Sequence, residues 1–197
     1  MEHTYNKLPE SAQIFLTQLS DYIGITLLYF GSVQRNDYFE GHSDIDIDVF
    51  TENEQSTLTK MQQFMKIPSS KFKKVAWRLN HNKRMVYGYK IMYEDPKKQF
   101  DIEFSIYNNK FKEDILVEHL KKTILPWYCT FFLIVLKTMH YKLGLLPKDA
   151  FSYLKKKVLT FCIGTDDDEF ISVKSNRTSD EPSDESSDKE SDDGQED

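Results

Sequence analysis

"YFGSVQRNDYFEGHSDIDIDVF", residues 29–50, is the stretch on which the reading of the chain turns. Asp44, Asp46 and Asp48 fall on alternate residues, and in an extended strand that period sets all three carboxylates on one face. Ile45, Ile47 and Val49 take the other face and call for burial. Three bare anions side by side repel one another, so something positive belongs among them. The blander alternative is a solvated edge strand or a chance acidic run. It leaves the acids on the second face with no energetic gain, since nothing there compensates their charge.

Outward from this stretch the chain alternates helical and strand patterns. Ile14, Phe15, Leu19 and Tyr22 recur at helical spacing, so Pro9 to Tyr22 reads as an amphipathic helix. "ITLLYF" at 25–30 is a continuous apolar run before Gly31 and reads as a buried strand. Residues 33–43 are polar loop, 44–50 form the aspartate strand, and "NEQSTLTKMQQFMKI" from Asn53 is a second helix. Three strands follow at 74–79, 85–93 and 99–107, and the turns "NHNK" and "EDPKK" between them predict antiparallel pairing. From Lys110 to about Cys162 the pattern is helical. These elements predict an α+β fold: a mixed, mainly antiparallel sheet backed by helices over 1–109, a small helical subdomain over 110–165, and a tail over 166–197.

With 197 residues, 39% hydrophobic and 14% aromatic, the chain has enough apolar surface for a sizeable core. Cys129 and Cys162 lie in apolar, helical-looking stretches and are expected to be buried free thiols, in keeping with a reducing compartment. No basic flank with an apolar core opens the chain, so the expected location is cytoplasmic or nuclear. "TILPWYCTFFLIVL" at 123–136 is too short for a bilayer and is interrupted by Pro126, so no membrane partner is expected and the run reads as the start of a buried helix. Charge is uneven. Residues 166–197 carry 14 Asp and Glu against Lys174, Arg177 and Lys189, a net of −11, which leaves +5 on residues 1–165 of a total of −6. The tail from Lys174 has almost no apolar side chains and is expected to be disordered. It serves solubility or, as the sharper reading, interaction and self-shielding, with Ser and Thr set among acids for an acid-directed kinase.

The last predicted strand repeats the acidic period. Asp101 and Glu103 alternate with Phe100, Ile102 and Phe104. If this strand neighbours the first, Asp44, Asp46 and Asp101 converge, and such an oxygen-donor cluster suits a hard divalent cation. Magnesium fits, because substrate phosphates and water can complete its octahedron; manganese is the alternative. Glu103 rivals Asp101 for the third position, and Asp48 is expected at the strand's end in solvent. Lys74, Arg78, Arg84 and Lys90 offer basic strand faces that could neutralise phosphate or could simply be solvated. His42 reads as a turn residue and His140 as a partly buried helix residue.

Gly31-Ser32, eleven residues, then Asp44-Ile45-Asp46, with an apolar strand before and an acidic strand residue far downstream, resembles the signature of the polymerase-beta-like nucleotidyltransferase superfamily. Arg35 and "SDID" at 43–46 add to it, and the likeness covers roughly residues 9–110. The resemblance implies a nucleotidyltransferase palm sheet and a magnesium-dependent transfer of a nucleoside monophosphate from a nucleoside triphosphate (NTP) to a hydroxyl, releasing pyrophosphate. Gly31 and Ser32 would then meet the phosphates, Asp44 and Asp46 would hold metal, and Asp101 would complete the metal shell or take the hydroxyl proton. Asp48 is not required by the family pattern. RNA ends, a protein hydroxyl and a small molecule stay open as acceptors. A catalytically silent binding or regulatory protein with an acidic interaction tail is the other class.

Overall fold

The computed structural model describes residues 2–163 and 171–172. The acidic tail lies almost wholly outside them, and so does its expected disorder. Helix α1, Glu10–Ile23, starts after Pro9 and stops at Gly24, whose φ of +71° lets its N–H turn back to Ser20 O at 2.9 Å. Its buried stripe is Ala12, Leu16, Leu19 and Ile23, four residues at helical spacing. Ile14 and Tyr22, assigned to the core side from sequence, are about half exposed. Helix α2, Glu54–Met65, is capped by the Asn53 side chain, which accepts from Ser56 N at 3.0 Å.

Strands β1 (Leu27–Phe30), β2 (Ile45–Thr51), β3 (Lys73–Arg78), β4 (Met85–Glu94), β5 (Asp101–Asn108) and the short β6 (Ile171–Ser172) form one mixed sheet in the order β1-β2-β5-β4-β3-β6. Among the described strands only β2 and β5 run parallel. The expected antiparallel succession of β3, β4 and β5 is present, and the two acidic strands are neighbours. Ile45, Ile47 and Val49 of β2 and Ile102, Phe104 and Ile106 of β5 are buried in a core shared with α1 and α2. Burying a side chain of this size stabilises the fold by about 1.5–3 kcal/mol, so a one-residue slip of β2 would be strongly disfavoured.

The opposite face is covered over half its length. Helix α3, Lys112–Thr123, packs Ile115 with Leu28, Phe50, Trp77 and Tyr107 of the sheet in a second core. Under α3, Asp48 is fully buried, against the expectation of solvent. His119 of α3 places Nδ1 2.6 Å from Asp48 Oδ2, off the line of the ring N–H, and stacks on Phe30 at 4.1 Å between centroids. The reason is topological: α3 crosses the sheet just where the third aspartate would otherwise face water.

Helices α4, Trp127–Lys137, and α5, Lys148–Ile163, complete the described chain. A disulfide joins Cys129 of α4 to Cys162 of α5, Cα to Cα 6.2 Å, in place of the expected free thiols. Sequence gives two cysteines in apolar helices; only antiparallel packing brings them together. Nor is α4 the expected buried helix: Trp127 is 80% and Phe131 56% exposed, while Cys129 and Leu133 face inward. Among the described residues no single helix is long and apolar enough to cross a membrane.

Candidate active site

The half of the sheet that α3 leaves open forms the floor of a cleft of about 790 Å³, roofed by α5. Its floor is set by three local features. The chain leaves β1 into a 3-10 turn, Gly31–Gln34, and Gly31 has φ of +71°. A Cβ at Gly31 would stand 2.0 Å from Asp46 Oδ2, so both the backbone angle and the space require glycine. Phe30 pairs with Asp46 across β1 and β2, which is why the turn lies against that carboxylate.

The register of β2 and β5 then distributes the acids. Asp46 is directly opposite Glu103, and Ile45 opposite Ile102. Continued past the end of β2, this register sets Asp44 level with Asp101 at the mouth of the cleft. Burial raises the Asp46 pKa to about 6, and the neighbouring Glu103 and Asp44 charges push the same way against Lys155 and Lys90. Asp101 is also raised, first by burial and then by the Asp44 and Glu94 charges. Asp44, Asp46 and Asp101 all line the cleft. Glu103 is engaged by Lys90, Nζ to Oε1 at 2.5 Å.

The four carboxylates share one face, but among the described residues no three Asp, Glu, His or Cys side chains stand close enough to hold an ion by themselves. The donors are all carboxylate oxygens, the chemistry that suits magnesium or manganese. Ser32 is buried beside Gly31 and lines the cleft. His42 is a loop residue whose ring stacks on Tyr141 at 5.3 Å. His140 is half-buried, its Nδ1 2.6 Å from Leu146 O and its ring stacked on Phe151 at 4.4 Å.

Residues 12–125 match the family described as the nucleotidyltransferase domain. The chain belongs to that family. The resemblance read from Gly31-Ser32 and Asp44-Ile45-Asp46 is thereby borne out. The solved structure of Cid1, described as an RNA terminal uridylyl transferase, aligns with 65% of this chain at 17% identity and a TM-score of 0.33. This chain spans 36% of that one's length. No curated protein matches.

Two parts of the site lay outside the sequence reading. One is the cationic roof. Lys148, Ser152, Lys155, Leu159 and Ile163 line the cleft from α5. Their spacing of four, three, four and four is a legible helical stripe, but the run Lys155-Lys156-Lys157 looks like a solvated patch until the cleft is seen. The other is a buried ionic knot. Arg35 holds Asp37 through Nε to Oδ1 at 2.7 Å and Nη2 to Oδ2 at 3.1 Å, and Lys137 of α4 donates to Asp37 O at 2.6 Å and to Ser43 Oγ at 3.1 Å. Burial works against the Asp37 charge, yet Arg35 and then Lys137 outweigh it and hold its pKa below the usual carboxylate value. Burial lowers Lys137 to about 8 in spite of Asp37. One hundred residues separate Lys137 from Asp37, so no local pattern announces the pair.

Proposed function

We propose that this chain catalyses magnesium-dependent transfer of a nucleoside monophosphate from an NTP to a hydroxyl, with release of pyrophosphate. The observation that carries the reading is the packing of the Gly31 turn on the Asp46 carboxylate, at the floor of a cleft with acids on one wall and lysines on the other. A triphosphate bound there would lie between the two. Gly31 lets backbone approach a phosphate closely, and Ser32 supplies a hydroxyl donor beside it. Lys148 and Lys155 face the acids from the roof and would take up charge on the leaving pyrophosphate.

Asp44, Asp46 and Asp101 are the residues that would hold the divalent ion. Bound there, it would supply Lewis-acid stabilisation of phosphoryl charge and lower the pKa of the attacking hydroxyl. In the transfer the hydroxyl oxygen forms a bond to the α-phosphorus, the bond from that phosphorus to the bridging oxygen breaks, and the hydroxyl proton leaves. Asp101, at the mouth and with a raised pKa, would accept it. Glu103 is a weaker choice because Lys90 already occupies it. The knot of Arg35, Asp37 and Lys137 holds Ser43, next to Asp44, and so fixes the approach to β2.

The test is incubation with each NTP labelled at the α-phosphate, with magnesium or manganese, against RNA, protein and small-molecule acceptors. Label should pass to one acceptor class with stoichiometric pyrophosphate, and Asp46→Asn should reduce transfer by about 10²–10³-fold, the range seen when one transition-state-stabilising group is removed. If NTP and metal bind but no acceptor is labelled, the chain is a binding protein on this fold.

A further inference from the structure

We propose that the acidic C-terminal segment, Val173 to Asp197, covers a basic strip along β3 and competes there with polyanions such as single-stranded RNA. The proposal is independent of the transfer reaction. Four observations meet at this edge of the sheet. First, β3 carries exposed Lys73 on the face it shares with Lys90 and exposed Lys74 and Arg78 on the other face, and Lys71 is exposed in the turn that leads into it, so cations flank this edge of the sheet from both sides. Among the described residues none of these four cations has an acidic partner within salt-bridge distance. Second, Lys73 lies directly opposite Lys90 of β4, and Lys90 reaches the Glu103 carboxylate beside Asp46. Like charges opposite one another on a sheet are destabilising, so the strip gains from an anion laid over it.

Third, β6 roots the segment on this very strand. Ile171 pairs with Ala76 and Ser172 with Val75, antiparallel, so the chain leaves the sheet heading along β3 toward Lys74, Lys73 and Lys71. Fourth, the segment beyond carries ten Asp and Glu against Lys174, Arg177 and Lys189. Its 25 residues, at about 3.3 Å each when extended, reach far beyond the strip. Charge complementarity over so short a tether gives a high local concentration of anion at the strip. The cleft lysines are the competing target. They already face Asp44, Asp46, Glu94 and Asp101, whereas among the described residues the β3 cations form no ion pair.

Zero-length carbodiimide coupling of lysine to carboxylate, read by peptide mass spectrometry on the full chain, tests the docking. Cross-links from the acids between Asp180 and Asp197 should fall on Lys71, Lys73 and Lys74 at low ionic strength. They should vanish near 1 M salt, where the screening length is about 3 Å. The paired substitution Lys73→Glu with Lys74→Glu lies on the surface and should abolish them without lowering Tm. In the full chain with those ten acids changed to amides, a single-stranded oligouridylate should bind roughly tenfold more tightly at low salt, a gain that shrinks as salt rises. Cross-links concentrated on Lys148, Lys155 or Lys156, cross-links that survive the double substitution, or oligouridylate affinity unchanged by the amide variant would each overturn the proposal.

Discussion

Gly31 and Asp46 form the closest dependence in the site, because one residue's missing side chain is the space that the other's carboxylate fills. Gly31→Ala would force the carboxylate aside and strain a backbone at φ +71°. We expect a stability loss of about 1–3 kcal/mol and a fall in transfer of about 10²-fold, measured by denaturant unfolding and label transfer on the same preparation. Serine at this position should do no better. At this scale the sequence was informative where the signal is local: the period of Asp44, Asp46 and Asp48 and the Gly31-Ser32 step are both visible in a short window. It was silent on Asp48. The helix that buries that carboxylate against His119 lies more than 60 residues downstream, and the two-residue period is the same whether a face is covered or wet.

The elements were legible to the extent that each is held by its own periodicity and caps. The α1 region has legible helical spacing, but its large residues Ile14 and Tyr22 lie on the half-exposed side of the helix. The stripe that packs includes small Ala12, which lets the helix approach the sheet. The linkage of α4 to the loop before β2 had no such signal, since it rests on ionic groups of Arg35, Asp37 and Lys137 that are far apart in the chain. Its energetics can be tested by asymmetry. Asp37→Ala leaves two cations buried without their acid and should cost about 3–5 kcal/mol. Lys137→Met keeps the Arg35 pairing at 2.7 Å and fills the volume with an apolar chain, so the loss should be smaller. Equal losses in urea unfolding would show that the knot does not act as described. Further, Lys137→Met removes the donor to Ser43 Oγ, so this variant should weaken transfer beyond what stability alone explains.

For the molecule as a whole, the division into a sheet layer, a cleft and a cationic helical roof depends on α5 staying against α4. The disulfide between Cys129 and Cys162 closes a loop of 33 residues, and in the chain-entropy view its removal should cost about 3–4 kcal/mol. Cys162→Ser should lower Tm accordingly, and reductant should lower the wild-type Tm to the same value. The central claim is that carboxylates from β2 and β5 make one divalent-ion site, and Asp46 makes it testable by pH. Its folded pKa of about 6 lies above the ordinary 3.8, so the folded state binds more protons between those values. The metal-free fold therefore loses stability as pH rises from about 4 to 6, by on the order of 3 kcal/mol at most, and stays level with respect to this group above that. Metal requires the ionised form, so its benefit should grow over the same window. The decisive measurement is a set of melting curves in magnesium or manganese, with and without NTP, at pH values on both sides of 6, for wild type, Asp46→Asn, Asp101→Ala and Glu103→Ala. The account predicts a metal-dependent rise in Tm that is larger above pH 6 and with NTP, absent in Asp46→Asn, reduced in Asp101→Ala and retained in Glu103→Ala. A rise that is unaffected by both Asp46→Asn and Asp101→Ala would contradict it.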